Sequence, residues 1–318
     1  MNAVRMTAAL CALALCAAAA AGCGGKSDKA GEDEAFRVPD TLLSPLQSFQ
    51  LTRDDYHPVD GGVMANDRIE LHYPPAQYAQ YLAVEIFSEA MRGYATVRER
   101  IGRPSNARVV IVGTKDLSEY RFLTRKEWWY YAVIEGDTII CEPLDIMRKR
   151  FDSVTDRSIS EIGLAQRMAQ MALDLKSAGR IPVWLREGAA SHIANERPVL
   201  RAQIEQFRKE LDGYRFEIED LEHTLRVNED MMLARAAFFV SFRMVERLLE
   251  RATMEDIVAF ASRLGEGVPL DDASRESFGM PYDQLIAAVA PTHVFDGAGE
   301  VPRPPVMGVD DHDGHSHD

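Results

Sequence analysis

Few side chains in this sequence could carry hydrolytic chemistry, and their spacing limits which kind. Glu187 and His192 lie close together in "VWLREGAASHIANE" and could approach one cleft. Two such groups fall short of the three convergent protein ligands that a catalytic zinc requires. Ser191, beside His192, lacks a G-x-S-x-G elbow, and adjacent helical residues do not face one another. No histidine occurs between Tyr73 and Ser191. His57 and His72 come before the main strand region, and His223 sits in the acidic stretch "EIEDLEHTLR", which reads as a solvated face. The densest cluster, His312, His315 and His317, belongs to "GVDDHDGHSHD", a tail that holds divalent cations at most weakly.

The two ends set the expected compartment. Met6 to Ala21 form an apolar, Ala-rich run after a single positive charge at Arg5, too short for a confident membrane span. The next residues, Ala20-Ala21-Gly22-Cys23, resemble the lipobox of bacterial lipoproteins. That resemblance implies a signal peptide over 1–22, lipid on Cys23 and attachment to the cell envelope; plain secretion is the alternative. Gly24 after the cysteine resembles lipoproteins sent to the outer membrane or facing the periplasm. Residues 23–50 then read as a flexible tether and 296–318 as a disordered acidic tail. Of four cysteines, Cys11 and Cys16 leave with the signal, so Cys141 has no intramolecular partner and reads as a buried inert thiol. The formal charge of −14, with no basic stripe, argues against nucleic acid as a partner.

About 250 residues remain between the ends, enough for one large domain with a substantial core. "IELHYPP" reads as a strand stopped by prolines, and a long amphipathic helix follows to Gly102. "ARVVIVGT" reads as a buried strand, and "EWWYYAVIEGDTIICEP" as a hairpin turning at Glu135-Gly136-Asp137. On that strand Trp128 to Tyr131 should alternate faces, one pair in the core and the other beside a cleft that could capture a peptide. From Ser158 onward the chain is helical, with breaks at Gly179 and Pro182. The expected fold is α+β: a small, mostly antiparallel sheet lobe over 51–150, then a helical lobe over 151–295.

Two phrases give this order a family resemblance. "VWLREGAASHI" is similar to the third-ligand helix of the peptidase-MA-like gluzincin metallopeptidases, and "SFGMPYDQL" to a phrase late in their helical lobe. "LAQRMAQMAL" stands where their HExxH helix belongs. In such a site two His at i and i+4 and a later Glu hold Zn²⁺, and the Glu after the first His is the base. Carried over, the ligands fall on Gln166, Gln170 and Glu187 and the base on Arg167. A neutral amide is a poor zinc ligand, and a permanent guanidinium is neither a base nor a neighbour for a cation.

The resemblance therefore implies a degenerate member with zinc lost, no catalytic residues and no cofactor. An Arg167–Glu187 bridge is expected in place of the metal. The former cleft, with Trp184 and His192 as neighbours, would serve a peptide or protein partner. Two other readings stand beside it: a hydrolase rebuilt around Glu187 and His192, and a structural envelope component with its cleft filled. The plainer view of Gln166 and Gln170 is that they are polar residues on a half-exposed helix.

Overall fold

Two short strands and the long helix that follows them come first among the described residues. A computed structural model of the chain describes residues 61–75, 77–127, 129–149, 158–227, 229–290 and 293–295. The expected signal peptide and tether, Cys23, His57 and the three histidines near the C terminus lie outside these residues. Strand β1 (Gly62–Ala65) pairs antiparallel with β2 (Ile69–Tyr73), and helix α1 (Gln77–Arg100) returns the chain to β3 (Val109–Gly113), which lies parallel to β2. Helix α2 (Leu117–Thr124) leads to the hairpin of β4 (Ala132–Glu135) and β5 (Thr138–Cys141), turned at Gly136 with φ 59°. The sheet order is β1-β2-β3-β5-β4.

This sheet corrects the expected antiparallel one. It is mixed, because β2–β3 and β3–β5 are parallel and only the two outer pairs are antiparallel. The physical reason is the length of the connections. A helix between strands carries the chain back to the same end of the sheet, whereas only a tight turn reverses it. Central β3, "VVIVG", is the apolar run that a strand flanked on both sides needs. The strand expected to include Trp129 to Tyr131 begins only at Ala132, and those three residues form irregular backbone; Trp128 lies outside the described residues.

Helix α3 (Leu144–Lys149) precedes the helical half: α4 (Ile159–Ser177), α5 (Val183–Ala194), α6 (Arg197–Glu205), α7 (Ile218–Val227), α8 (Met231–Leu249), α9 (Met254–Glu266), α10 (Leu270–Phe278) and α11 (Tyr282–Val289). Ser158 caps α4 by accepting from the Glu161 amide, and Ala178 and Gly179 end it with positive φ. Helix α4 lies between α1, α5, α9 and β4. From Ser160 to Leu173 it is buried on every side. A helix so wrapped takes its polar side chains into the interior with it. Helix α5 is held tightly against α8 at Gly188, where a Cβ would stand 2.2 Å from the Ser241 carbonyl oxygen. One continuous core runs from Ile69 and Ile111 through Met168 and Trp184 to Phe260. Among the described residues no helix is long and apolar enough to cross a membrane.

Candidate functional site

Helices α4 and α5 bring Gln166, Arg167, Gln170 and Glu187 into one buried cluster, with side chains on residues only 2%, 3%, 2% and 2% exposed. The half-exposed helix is thereby excluded. Gln166 donates from Nε2 to Glu187 Oε2 at 3.3 Å, and Gln170 Nε2 donates to the same oxygen. Tyr131 donates its hydroxyl to Gln166 Oε1 at 3.3 Å. The two amides thus meet on one carboxylate oxygen.

The expected bridge from Arg167 to Glu187 is not formed. Arg186, the residue before Glu187, occupies Glu187 Oε1 at 2.9 Å and reaches Asp174 Oδ2 at 2.9 Å with its other terminal nitrogen. Arg167 donates instead to Gln170 Oε1 at 3.0 Å and stands over the rings of Tyr130 and Tyr131, at 4.7 and 5.1 Å from their centroids. Its Nε is buried with no hydrogen-bond partner. The reason is competition: Arg186 and both glutamines already hold the carboxylate, so Arg167 settles on aromatic faces. Arg167 remains a cation. Burial opposes its charge, but Tyr130, Tyr131, Glu187 and Glu196 outweigh that and hold it above the ordinary arginine range.

The remaining neighbours are defined by burial. Glu196, which interacts electrostatically with Arg167, has its carboxyl raised chiefly by burial, against the Ser191 hydroxyl that donates to it at 2.6 Å. Burial likewise raises Asp174, opposed by Arg186. Cys141 is a buried thiol pushed up to about 12 by burial, with Glu142 adding to the shift.

A cavity of about 550 Å³ opens beside the cluster. Lys126, Tyr130, Arg167, Gln170 and Glu187 form one part of its wall, and Val133 and Ile134 of β4 another. Consecutive strand residues point to opposite faces, so a cavity touching both runs along the outer edge of β4. Among the described residues, β5 is the strand that pairs with β4, and Val133 and Ile134 border the cavity.

Two expected cleft neighbours lie elsewhere. His192 is about 140° around α5 from Glu187 by helical geometry. It stacks on Phe242 at 6.2 Å and does not line the cavity. Burial keeps its imidazole below the ordinary histidine range, with Arg100 adding to the effect. Trp184 is wholly buried and donates from Nε1 to the Tyr282 hydroxyl at 2.7 Å. This bond joins the two sequence phrases, "VWLREGAA" and "FGMPYDQL". Sequence reasoning missed Arg186, Asp174 and Lys126. Asp174 had a signal, because it lies one further turn along the stripe of Gln166 and Gln170. Arg186 had none, since neighbours in a helix do not normally face one another.

Among the described residues, no group of three or more His, Cys, Asp or Glu side chains is arranged to hold a metal ion. No protein-family model matches the sequence, and no curated protein matches it.

Proposed function

We propose that this chain is an envelope lipoprotein, tethered through Cys23, whose gluzincin-like domain has lost its zinc and binds a peptide or protein segment without cleaving it. The observation that carries the reading is the meeting of Gln166, Gln170 and Glu187 at one buried point. Those are the three positions to which the resemblance assigns zinc ligands, and their meeting at one oxygen is what a degenerate form of that site would leave.

The donor set does not fit Zn²⁺. Both oxygens of Glu187 already accept hydrogen bonds, the other two groups are neutral amides, and the buried Arg167 cation stands next to Gln170. Hydrogen bonds replace coordination, and no reaction step is routed through a metal. What remains is a cavity beside Val133 and Ile134 of the outermost described strand, where an extended segment could add by main-chain pairing.

The rival readings find less support. A rebuilt hydrolytic site needs His192 near Glu187, and His192 is instead packed on Phe242. A filled, purely structural cleft is at odds with a cavity of about 550 Å³.

The test uses the full chain with His312, His315 and His317 changed to Ala, so that the tail contributes no metal. Mass spectrometry should find that protein free of stoichiometric zinc, and find one zinc per chain after Gln166→His, Arg167→Glu and Gln170→His are added. Stoichiometric zinc in the parent, or none in the restored protein, would overturn the reading.

A further inference from the structure

The cavity is lined by charges of both signs, and they differ in how fully they are occupied. Of the anions, Glu187 is held by Arg186 and two glutamines, and Asp174 by Arg186. Asp137 is exposed at the hairpin turn, where it accepts from the Ser105 hydroxyl. Of the cations, Arg186 is matched by Glu187 and Asp174, and Arg226 by Glu222 at 2.6 Å.

Lys126 and Arg167 differ from the others. Neither forms an ion pair with any carboxylate among the described residues. Both stand near the same ring, Tyr130, with Lys126 Nζ at 5.8 Å and the Arg167 guanidinium carbon at 4.7 Å from its centroid. Lys126 donates to the Val227 carbonyl at 3.2 Å, and Arg167 keeps a buried Nε without a partner. A buried guanidinium with an unmet donor is costly unless something else completes it. Glu187 and Glu196 act on Arg167 from a distance, but no carboxylate touches it. The two cations line a cavity large enough for a side chain and the backbone that carries it.

We infer that Lys126 and Arg167 form a carboxylate-binding site, and that the segment taken up in this cavity is an acidic peptide whose carboxylate is met by these cations. The inference rests on the peptide-binding reading and adds the chemistry of the ligand. It also gives a reason for Arg at position 167. Arginine reverses the charge preference of the cleft, from a site suited to a metal cation to one suited to an anion. A planar guanidinium can meet both oxygens of a carboxylate. Burial holds the Lys126 ammonium below the ordinary lysine range, a deficit that a bound anion would repair.

The test is selection of random octapeptides on the immobilised full chain, from one library with free C termini and one with amidated C termini. The expected result is enrichment of Asp and Glu at one position, or of free over amidated termini. The best peptide is then made with each carboxylate replaced in turn by its amide. The critical replacement should weaken binding by about tenfold or more, the effect of losing one charge-assisted hydrogen bond, and it identifies side chain or terminus as the source. Arg167→Met should reduce that ratio to below about twofold. Lys126→Gln, at a half-buried position that tolerates change, should lower it by about threefold. Peptides selected without acidic bias, or an amide form that binds within about twofold, would overturn the inference and leave peptide binding standing. If no peptide is selected, both readings fall together.

Discussion

At its start, helix α4 presents Ser160 to Glu89, a carboxylate on α1 that is 3% exposed. Arg148 completes that cluster, bonding Glu89 with one nitrogen and lying 3.4 Å from Glu85 with the other. About two turns further along the same helix, Arg167 is equally buried, yet it has no carboxylate in contact and borders a cavity. In the first cluster opposite charges meet directly and the helices are tied together. In the second the carboxylate is taken by Arg186, and one cation is left for whatever enters from outside. Buried charge alone therefore does not mark a binding site. Buried charge that the protein leaves unmatched beside an opening is the more informative sign.

The largest effects should come from the two carboxylates. Glu187→Ala leaves Arg186 and two amides without their shared acceptor, and Glu89→Ala does the same to Arg148 and Ser160. Each should cost on the order of 3–5 kcal/mol, read from denaturant midpoints. A loss under about 1 kcal/mol at Glu187 would mean that water readily replaces the carboxylate and that the cluster is not a closed network.

The arginines separate the clusters. Arg148→Met strips a buried carboxylate of its ion pair and should cost about 3 kcal/mol, the lower end of that range because Arg148 is one-third exposed. Arg167→Met gives up one hydrogen bond to Gln170 and two ring contacts, but it also removes an incompletely satisfied buried cation. Its net cost should be under about 1 kcal/mol. Equal losses for the two variants would erase the distinction, since Arg167 would then be as structural as Arg148.

The sequence revealed these features unevenly. Helix α4 starts at the Ser158 cap and stops by Gly179, and the β4–β5 hairpin turns at Glu135-Gly136-Asp137, as the sequence suggests. Such signals are local, so they survive folding. Sheet direction was misread because a hairpin announces itself in its turn, while parallel pairing depends on where a helix delivers the next strand. The site positions were legible because they recur on one face of α4 and in a distinctive phrase on α5. Their bonding was not, because the choice of Arg186 over Arg167 for Glu187 is made by side-chain reach and competition in three dimensions. His192 was misplaced for a simpler reason: five residues is near in sequence and well around the helix.

A smaller effect probes how the site is braced from behind. Trp184 donates to Tyr282 across helices α5 and α11. Trp184→Phe and Tyr282→Phe should each remove that bond, and a double-mutant cycle should give a coupling of about 1 kcal/mol. Coupling near zero would mean that ring packing alone sets the position of α5. The carboxylate cluster would then be held by the closely packed Gly188 face.

The smallest effect is a pH dependence at Glu196. An unfolded glutamate titrates near 4.5, and burial raises Glu196 above that in the folded chain. Between those values the folded protein holds a proton that the unfolded chain has released. Stability therefore falls as pH rises through the window and stays lower above it. Glu196→Gln removes the ionisation, so its stability relative to the parent should grow as pH increases from about 4.5 and vanish below it. Denaturant midpoints for both proteins from pH 4 to 8 provide the measurement, and a flat difference would refute the assignment. The comparison tightens when Arg167→Met is added. Arg167 attracts the Glu196 carboxylate and lowers its pKa, so without it the window should widen and the advantage of Glu196→Gln should increase. An unchanged profile would place the Arg167 charge wholly in the service of the cavity side.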